Sequence, residues 1–198
     1  MTPYHHGDLP NALKAAALEV IAENGVAGFS LREVARRAGV SHAAPAHHFG
    51  DSSGLITALA SDAFIHLEAT IMGARDRVDD PADALVAAAR AYVELGVEHP
   101  AHCEIMFRHD LIDHENDTYA ETSMAAHAAL EGALIELRDA GNPGLDIDAA
   151  ATLCWATMQG LVVLYPSITG VADHKGTPVP PLGDLAEQLA RLTLQGLT

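Results

Sequence analysis

A chain of 198 residues that is 49% hydrophobic, with 11 basic against 27 acidic side chains and a formal net charge of −16, has enough apolar material for a packed core in one or two modest domains. These figures exclude a disordered chain, and two cysteines exclude a disulfide-stapled one. A soluble globular protein is expected.

In chain order, Leu13, Ala16, Ala17, Val20 and Ile21 recur at helical spacing after Asp8, which is suited to cap the first turn, and Asn24-Gly25 supplies a stop. In Phe29-Ser30-Leu31-Arg32-Glu33-Val34 the spacing predicts a capping box: Ser30 accepts from the Glu33 N–H, the Glu33 carboxylate reaches back, and Phe29 staples onto Val34. This second helix ends at Ala38, where Gly39 can turn left-handed and Val40 can fold back onto Val34 or Ala35. Ser41 is expected to cap a short third helix, and Pro45 falls in its first turn, where its missing N–H costs at most one hydrogen bond. From Asp51 or Ser52 a longer helix carries Leu55, Ile56, Leu59, Ala60, Ala63, Leu67 and Ile71 along one stripe. Pro81 and Pro100 open further helices, a polar break spans 110–117, and another helix ends near Ala140-Gly141-Asn142-Pro143.

Two helices close the chain. The first, roughly Ile147 to Tyr165, is apolar almost all round and is expected to be buried on more than one side. The uncharged stretch 149–172 is long enough to cross a bilayer, but Thr152, Thr157, Gln159, Pro166, Ser167 and Thr169 favour a buried helix over a membrane span. After an expected loop from Gly170 to Pro181, the last helix places Leu182, Leu185, Leu189 and Leu192 along a narrow packing seam. A homodimer contact through the helices near 147–165 and 182–197 would cover both apolar faces; alternatively, the last helix caps its own subunit. No strand pattern occurs, so the predicted fold class is all-α.

Charge is unevenly spread. Residues 1–64 hold four basic side chains (Lys14, Arg32, Arg36, Arg37), six acidic ones, and His5, His6, His42, His47 and His48, whereas 65–198 carries a formal charge of −14. An anionic partner should therefore meet the first part. Cys103 and Cys154 lie in apolar stretches without redox or metal spacing, and the N-terminal MTPYHHGDLP has no basic region followed by an apolar run, so a reducing, cytoplasmic setting is expected.

Residues 29–55, FSLREVARRAGVSHAAPAHHFGDSSGL, resemble the helix-turn-helix signature of the TetR family of bacterial transcriptional repressors, and the likeness begins at YHHGDL from Tyr4. Farther on, Trp155-Ala-Thr-Met-Gln159-Gly160 is similar to the Trp-x-x-x-His-Gly element of one TetR subgroup, with Gln159 in place of histidine. The resemblance implies a three-helix DNA-binding head over 1–50 and a helical ligand-binding and dimerisation domain over 51–198. It further implies a homodimeric repressor on a palindromic double-stranded DNA operator, released by a small-molecule effector of unknown identity. A short helix held across another can enter the major groove, and the resemblance implies that Arg32, His42, Ala43, Ala44, Ala46 and His47 fall at DNA-facing positions, with His48 beside them; Ser41 is placed to hold a phosphate. Ala46 stands where the family usually has a phosphate-contacting tyrosine, and Ser52 where it usually has a lysine. Without these two donors a dimer neutralises four fewer phosphates, which at about 0.9 per phosphate lowers the salt exponent by about 3.6. With five histidines in the head, binding is expected to strengthen as pH falls from about 7.5 to about 6; the alternative is that they are ordinary surface residues.

Candidate ligand-binding residues are Cys103, Met106, Phe107, Trp155, Met158 and Gln159, with Tyr92, Leu111 and Met124, although each apolar one would equally suit a packed core. Gln159 is costly on an apolar helix unless a ligand, a water or a backbone group satisfies it. His99-x-x-His102-Cys103 matches no strong metal signature, and a structural helix start is favoured there over a metal site. Without a phosphate loop, nucleophile elbow or His-Glu metal motif, neither catalysis nor a cofactor is expected. A ligand-binding dimer that has lost operator binding remains the alternative, motivated by Ala46 and Ser52.

Overall fold

The computed structural model describes residues 8–197. Among them the chain is helix and connecting loop: α1 (Leu9–Asn24), a 3-10 turn (Val26–Gly28), α2 (Leu31–Ala38), α3 (Ala44–Phe49), α4 (Ser52–Arg75), α5 (Pro81–Glu98), α6 (Pro100–Met106), α7 (Asp117–Gly141), α8 (Ile147–Lys175) and α9 (Leu182–Gly196). Two compact units form, each from two stretches of chain: Met1–Phe64 with Pro100–Ser123, and Ile65–His99 with Met124–Thr198. As packing units these differ from a division at residue 50, because α6 and the loop after it fold in with α1 to α3.

In the first unit α1 buries the expected stripe of Leu13, Ala16, Ala17, Val20 and Ile21, packing on α2, α3 and α6. Asp8 stands at its N-cap without making the expected side-chain bond, and Pro10 occupies the first turn. From α6, Ala101, Cys103, Ile105 and Met106 are buried. The Val26 N–H donates to Glu104 Oε1 at 3.1 Å, the Ser53 hydroxyl to the Leu111 carbonyl at 2.9 Å, and the Asp113 N–H to Thr57 Oγ1 at 2.9 Å. Leu13, Ile21, Leu55, Leu59 and Ile105 are fully buried, each contributing about 1.5–3 kcal/mol of transfer free energy.

In the second unit Leu85, Ala133, Leu134, Leu145, Ala150 and Ala151 form a core, and α9 packs on α5 and α8. α9 turns Gly183, Ala186 and Ala190 inward. A Cβ at Gly183 would come within 2.6 Å of the Arg90 guanidinium, which bonds to Glu187 at 2.7 Å and Glu94 at 2.9 Å. The leucine seam sits at the margin: Leu182, Leu185 and Leu189 are half-buried and Leu192 is 55% exposed.

α8 departs from expectation twice. It continues past Tyr165 through Pro166 to Lys175, so the loop expected from Gly170 begins only at Gly176. Pro166 removes one hydrogen bond, that to the carbonyl four residues before it, and the helix continues; the Thr169 hydroxyl donates to the Tyr165 and Pro166 carbonyls. The helix closes where Gly176, at φ 63, donates to Ala172 and Asp173 and the Thr177 N–H donates to Ala172. Nor is α8 buried on more than one side within a single chain: Ala150, Ala151, Met158, Leu161 and Val162 turn inward, whereas Leu153, Val163, Leu164, Ile168 and Val171 are exposed.

Candidate nucleic-acid interface

Ser30 approaches α2 in extended conformation, but the expected capping box does not form. Ser30 makes no side-chain cap bond, and the Glu33 carboxylate accepts from Arg36 Nε at 2.8 Å and Nη2 at 2.6 Å instead. A bidentate, charge-assisted bond to a guanidinium one turn ahead is stronger than a reach back to a neutral N–H. The end of α2 follows the prediction: Gly39 sits at φ 70, ψ 29, its N–H meets the Ala35 and Arg36 carbonyls, and the Val40 N–H donates to Ala35 at 3.0 Å. α3 begins later than a Ser41 cap implies. Ser41 closes the turn by accepting from the Ala44 N–H at 3.0 Å, Ala43 takes the N-cap position, and Pro45 is buried in the first turn.

This turn leaves the outer side of α2 and α3 open within the first unit. Arg32, Ser41, His42, Ala43, Ala46, His47 and His48 are exposed, and Ala44 is half-buried. The His47 and His48 rings meet edge to face with centroids 5.3 Å apart. Tyr4, His5 and His6, which belong to the resemblance and to the histidine set, lie outside the described residues.

The cations of this unit are mostly engaged with its own carboxylates, which the sequence reading did not foresee although the Glu33 spacing to Arg36 and Arg37 signals it. Arg37 reaches Glu23 at 2.6 Å, Glu33 at 3.5 Å and Glu19 at 3.7 Å; Arg36 holds Glu33; Lys14 holds Asp62 at 2.6 Å. Hydrogen bonding from Arg36 lowers the Glu33 pKa to about 2, and hydrogen bonding from Arg37 lowers that of Glu23. Arg32 makes no ion pair among the described residues. Among the described residues the face can therefore offer a duplex the Arg32 guanidinium, imidazoles that donate or accept, and alanine methyls of a size to meet thymine methyls.

The expected ligand residues fall on both units. Cys103 and Met106 are buried and Phe107 half-buried in the first. In the second, the structure brings together Trp155, Gln159 and Tyr92: Trp155 Nε1 donates to the Tyr92 hydroxyl at 3.1 Å, and that hydroxyl donates to Gln159 Oε1 at 2.7 Å. Gln159 thus accepts from a phenol, a partner too distant in sequence for spacing to reveal it. The His127 ring, which sequence reasoning missed, lies 4.9 Å from that of Trp155. Met158 is buried beside them in the chain and Met124 is 71% exposed. Burial raises the Cys154 thiol to about 11. Among the described residues no three His, Cys, Asp or Glu side chains are grouped to hold a metal.

Over residues 13–59 the chain matches the family described as bacterial regulatory proteins, tetR family, and over 85–168 a tetracyclin repressor-like C-terminal domain. Among solved structures, a protein with unknown function from Rhodococcus sp. RHA1 is 30% identical with a TM-score of 0.80, covering 100% of this chain and 99% of the other. The TetR family transcriptional regulator PfmR from Thermus thermophilus is 20% identical with a TM-score of 0.73, covering 94% and 98%. The transcriptional regulator FadR from Bacillus subtilis, solved in complex with stearoyl-CoA, is 19% identical with a TM-score of 0.73, covering 95% and 99%. No curated protein matches the sequence.

Proposed function

We propose, from the premise that this chain belongs to the TetR family of bacterial regulatory proteins, that it is a cytoplasmic, non-catalytic repressor that binds a palindromic operator as a homodimer and is released by a small molecule. The observation that carries this reading is the open outer side of α2 and α3, with Arg32, His42, Ala43, Ala46, His47 and His48 exposed. As functional regions, 1–50 reads DNA and 51–198 senses and dimerises. Exposed Leu153, Val163, Leu164, Ile168 and Val171 on α8 and Leu192 on α9 support a dimer through these two helices. The Tyr92, Trp155 and Gln159 cluster supports an effector held in the second unit, with Cys103, Met106 and Phe107 as further candidates. The FadR complex makes stearoyl-CoA the first effector to test.

A selection from random duplexes tests the reading: a two-fold sequence is expected, with half-sites centred roughly 34–36 Å apart or at a multiple of that. A second reading, a ligand-binding dimer without an operator, is favoured by Ala46, Ser52 and the internally paired arginines. Recovery of no sequence, with or without effector, would establish it instead.

A further inference from the structure

The geometry points to a DNA-binding face whose positive charge comes chiefly from protons: beside Arg32, the cations that meet operator phosphates are His42, His47 and His48 in their imidazolium form. This inference rests on the operator-binding reading above. Its basis is the pairing within the first unit. Of its four lysines and arginines before Phe64, Lys14, Arg36 and Arg37 are held by Asp62, Glu33, Glu23 and Glu19, leaving Arg32, among the described residues, as the permanent charge available to a duplex. His42, His47 and His48 are exposed on the turn and on α3.

The charged groups on the neighbouring elements do not compete for these rings. α1 brings Lys14, Glu19 and Glu23, α2 brings Arg32, Glu33, Arg36 and Arg37, the residue before α4 is Asp51, and α4 brings Asp62. Asp51 accepts from the Gly54 N–H, and the other carboxylates hold the cations already named. None pairs with His42, His47 or His48 among the described residues. Glu33 and Glu23, with their pKa values lowered by their arginines, remain ionised at about pH 6, so acidification to that pH does not free Arg36 or Arg37.

A phosphate stabilises an imidazolium, so the ring holds its proton more tightly in the complex than free, and affinity rises as pH falls. The number of phosphates neutralised rises with it. For a dimer, at about 0.9 per phosphate, the exponent relating affinity to salt should steepen from about 2 at about pH 8, with Arg32 alone, toward about 7 at about pH 6.

The test uses the full-length protein and a duplex it selects from a random pool. Anisotropy titrations over a potassium chloride series at both pH values should show this steepening. The double variant His47→Gln, His48→Gln, its fold verified by circular dichroism and thermal unfolding against the wild type, should lose most of the steepening. An exponent unchanged between the two pH values, or a double variant that steepens as much as the wild type, overturns the inference while the regulator reading stands. If no duplex is selected at either pH, both fall together.

Discussion

Glu33 lies three residues before Arg36 and four before Arg37, and its carboxylate bonds to both. With its pKa held at about 2 against an ordinary 4.5, chiefly by the Arg36 hydrogen bond, its contribution to stability is fully present above the ordinary value and is lost as pH falls toward 2. The pairs are solvent-screened, so their weight is in charge placement rather than stability. Glu33→Gln is expected to free Arg36 for phosphate and to raise the salt exponent by about 2 per dimer, at about 0.9 per contact. An unchanged exponent in a salt titration would show that Arg36 does not point at the duplex. In the second unit the Tyr92 hydroxyl is both acceptor from Trp155 and donor to Gln159. Tyr92→Phe should therefore cost about 1–2 kcal/mol in urea unfolding by leaving both neighbours without that partner.

Among elements, the same glycine-to-alanine change should have opposite signs in α4 and α5. A Cβ at Gly73 meets nothing within 4 Å, so Gly73→Ala should stabilise by up to about 1 kcal/mol through helix propensity. A Cβ at Gly96 would lie 2.8 Å from a methyl of buried Val162, so Gly96→Ala should destabilise by about 1–2 kcal/mol after that gain is subtracted; denaturant midpoints compare the two. What sequence revealed follows the same local logic. The Gly39 turn, Pro45 in the first turn of α3 and the buried stripe of α1 depend on neighbours a few residues away and were legible. The capping box was not, because Ser30 and Arg36 compete for Glu33 and the pattern names only one of them. The passage of α8 through Pro166 was not, because one missing N–H does not by itself end a helix whose Gly176 cap lies beyond the expected end. Nor was the Tyr92 link to Gln159, which joins separate helices.

At the scale of the whole molecule, the uncovered side of α8 makes the assembly testable. Val163 and Val171 are 63% and 54% exposed, so Val163→Asp with Val171→Asp removes little intramolecular packing. The pair is expected to weaken self-association at least about tenfold, or about 1.4 kcal/mol, in sedimentation equilibrium while helical content stays unchanged. If the variant sediments as the wild type does, the contact lies elsewhere. The membership of α6 in the first unit has a consequence for biosynthesis. The reading head draws Ile105 and Met106 into its core and has its Val26 N–H donate to Glu104, so its own early residues cannot complete it as they leave the ribosome. A nascent chain halted after Phe64 should remain protease-sensitive, and protection of the head should appear only once Ser123 has emerged, after the intervening α5 has already been translated.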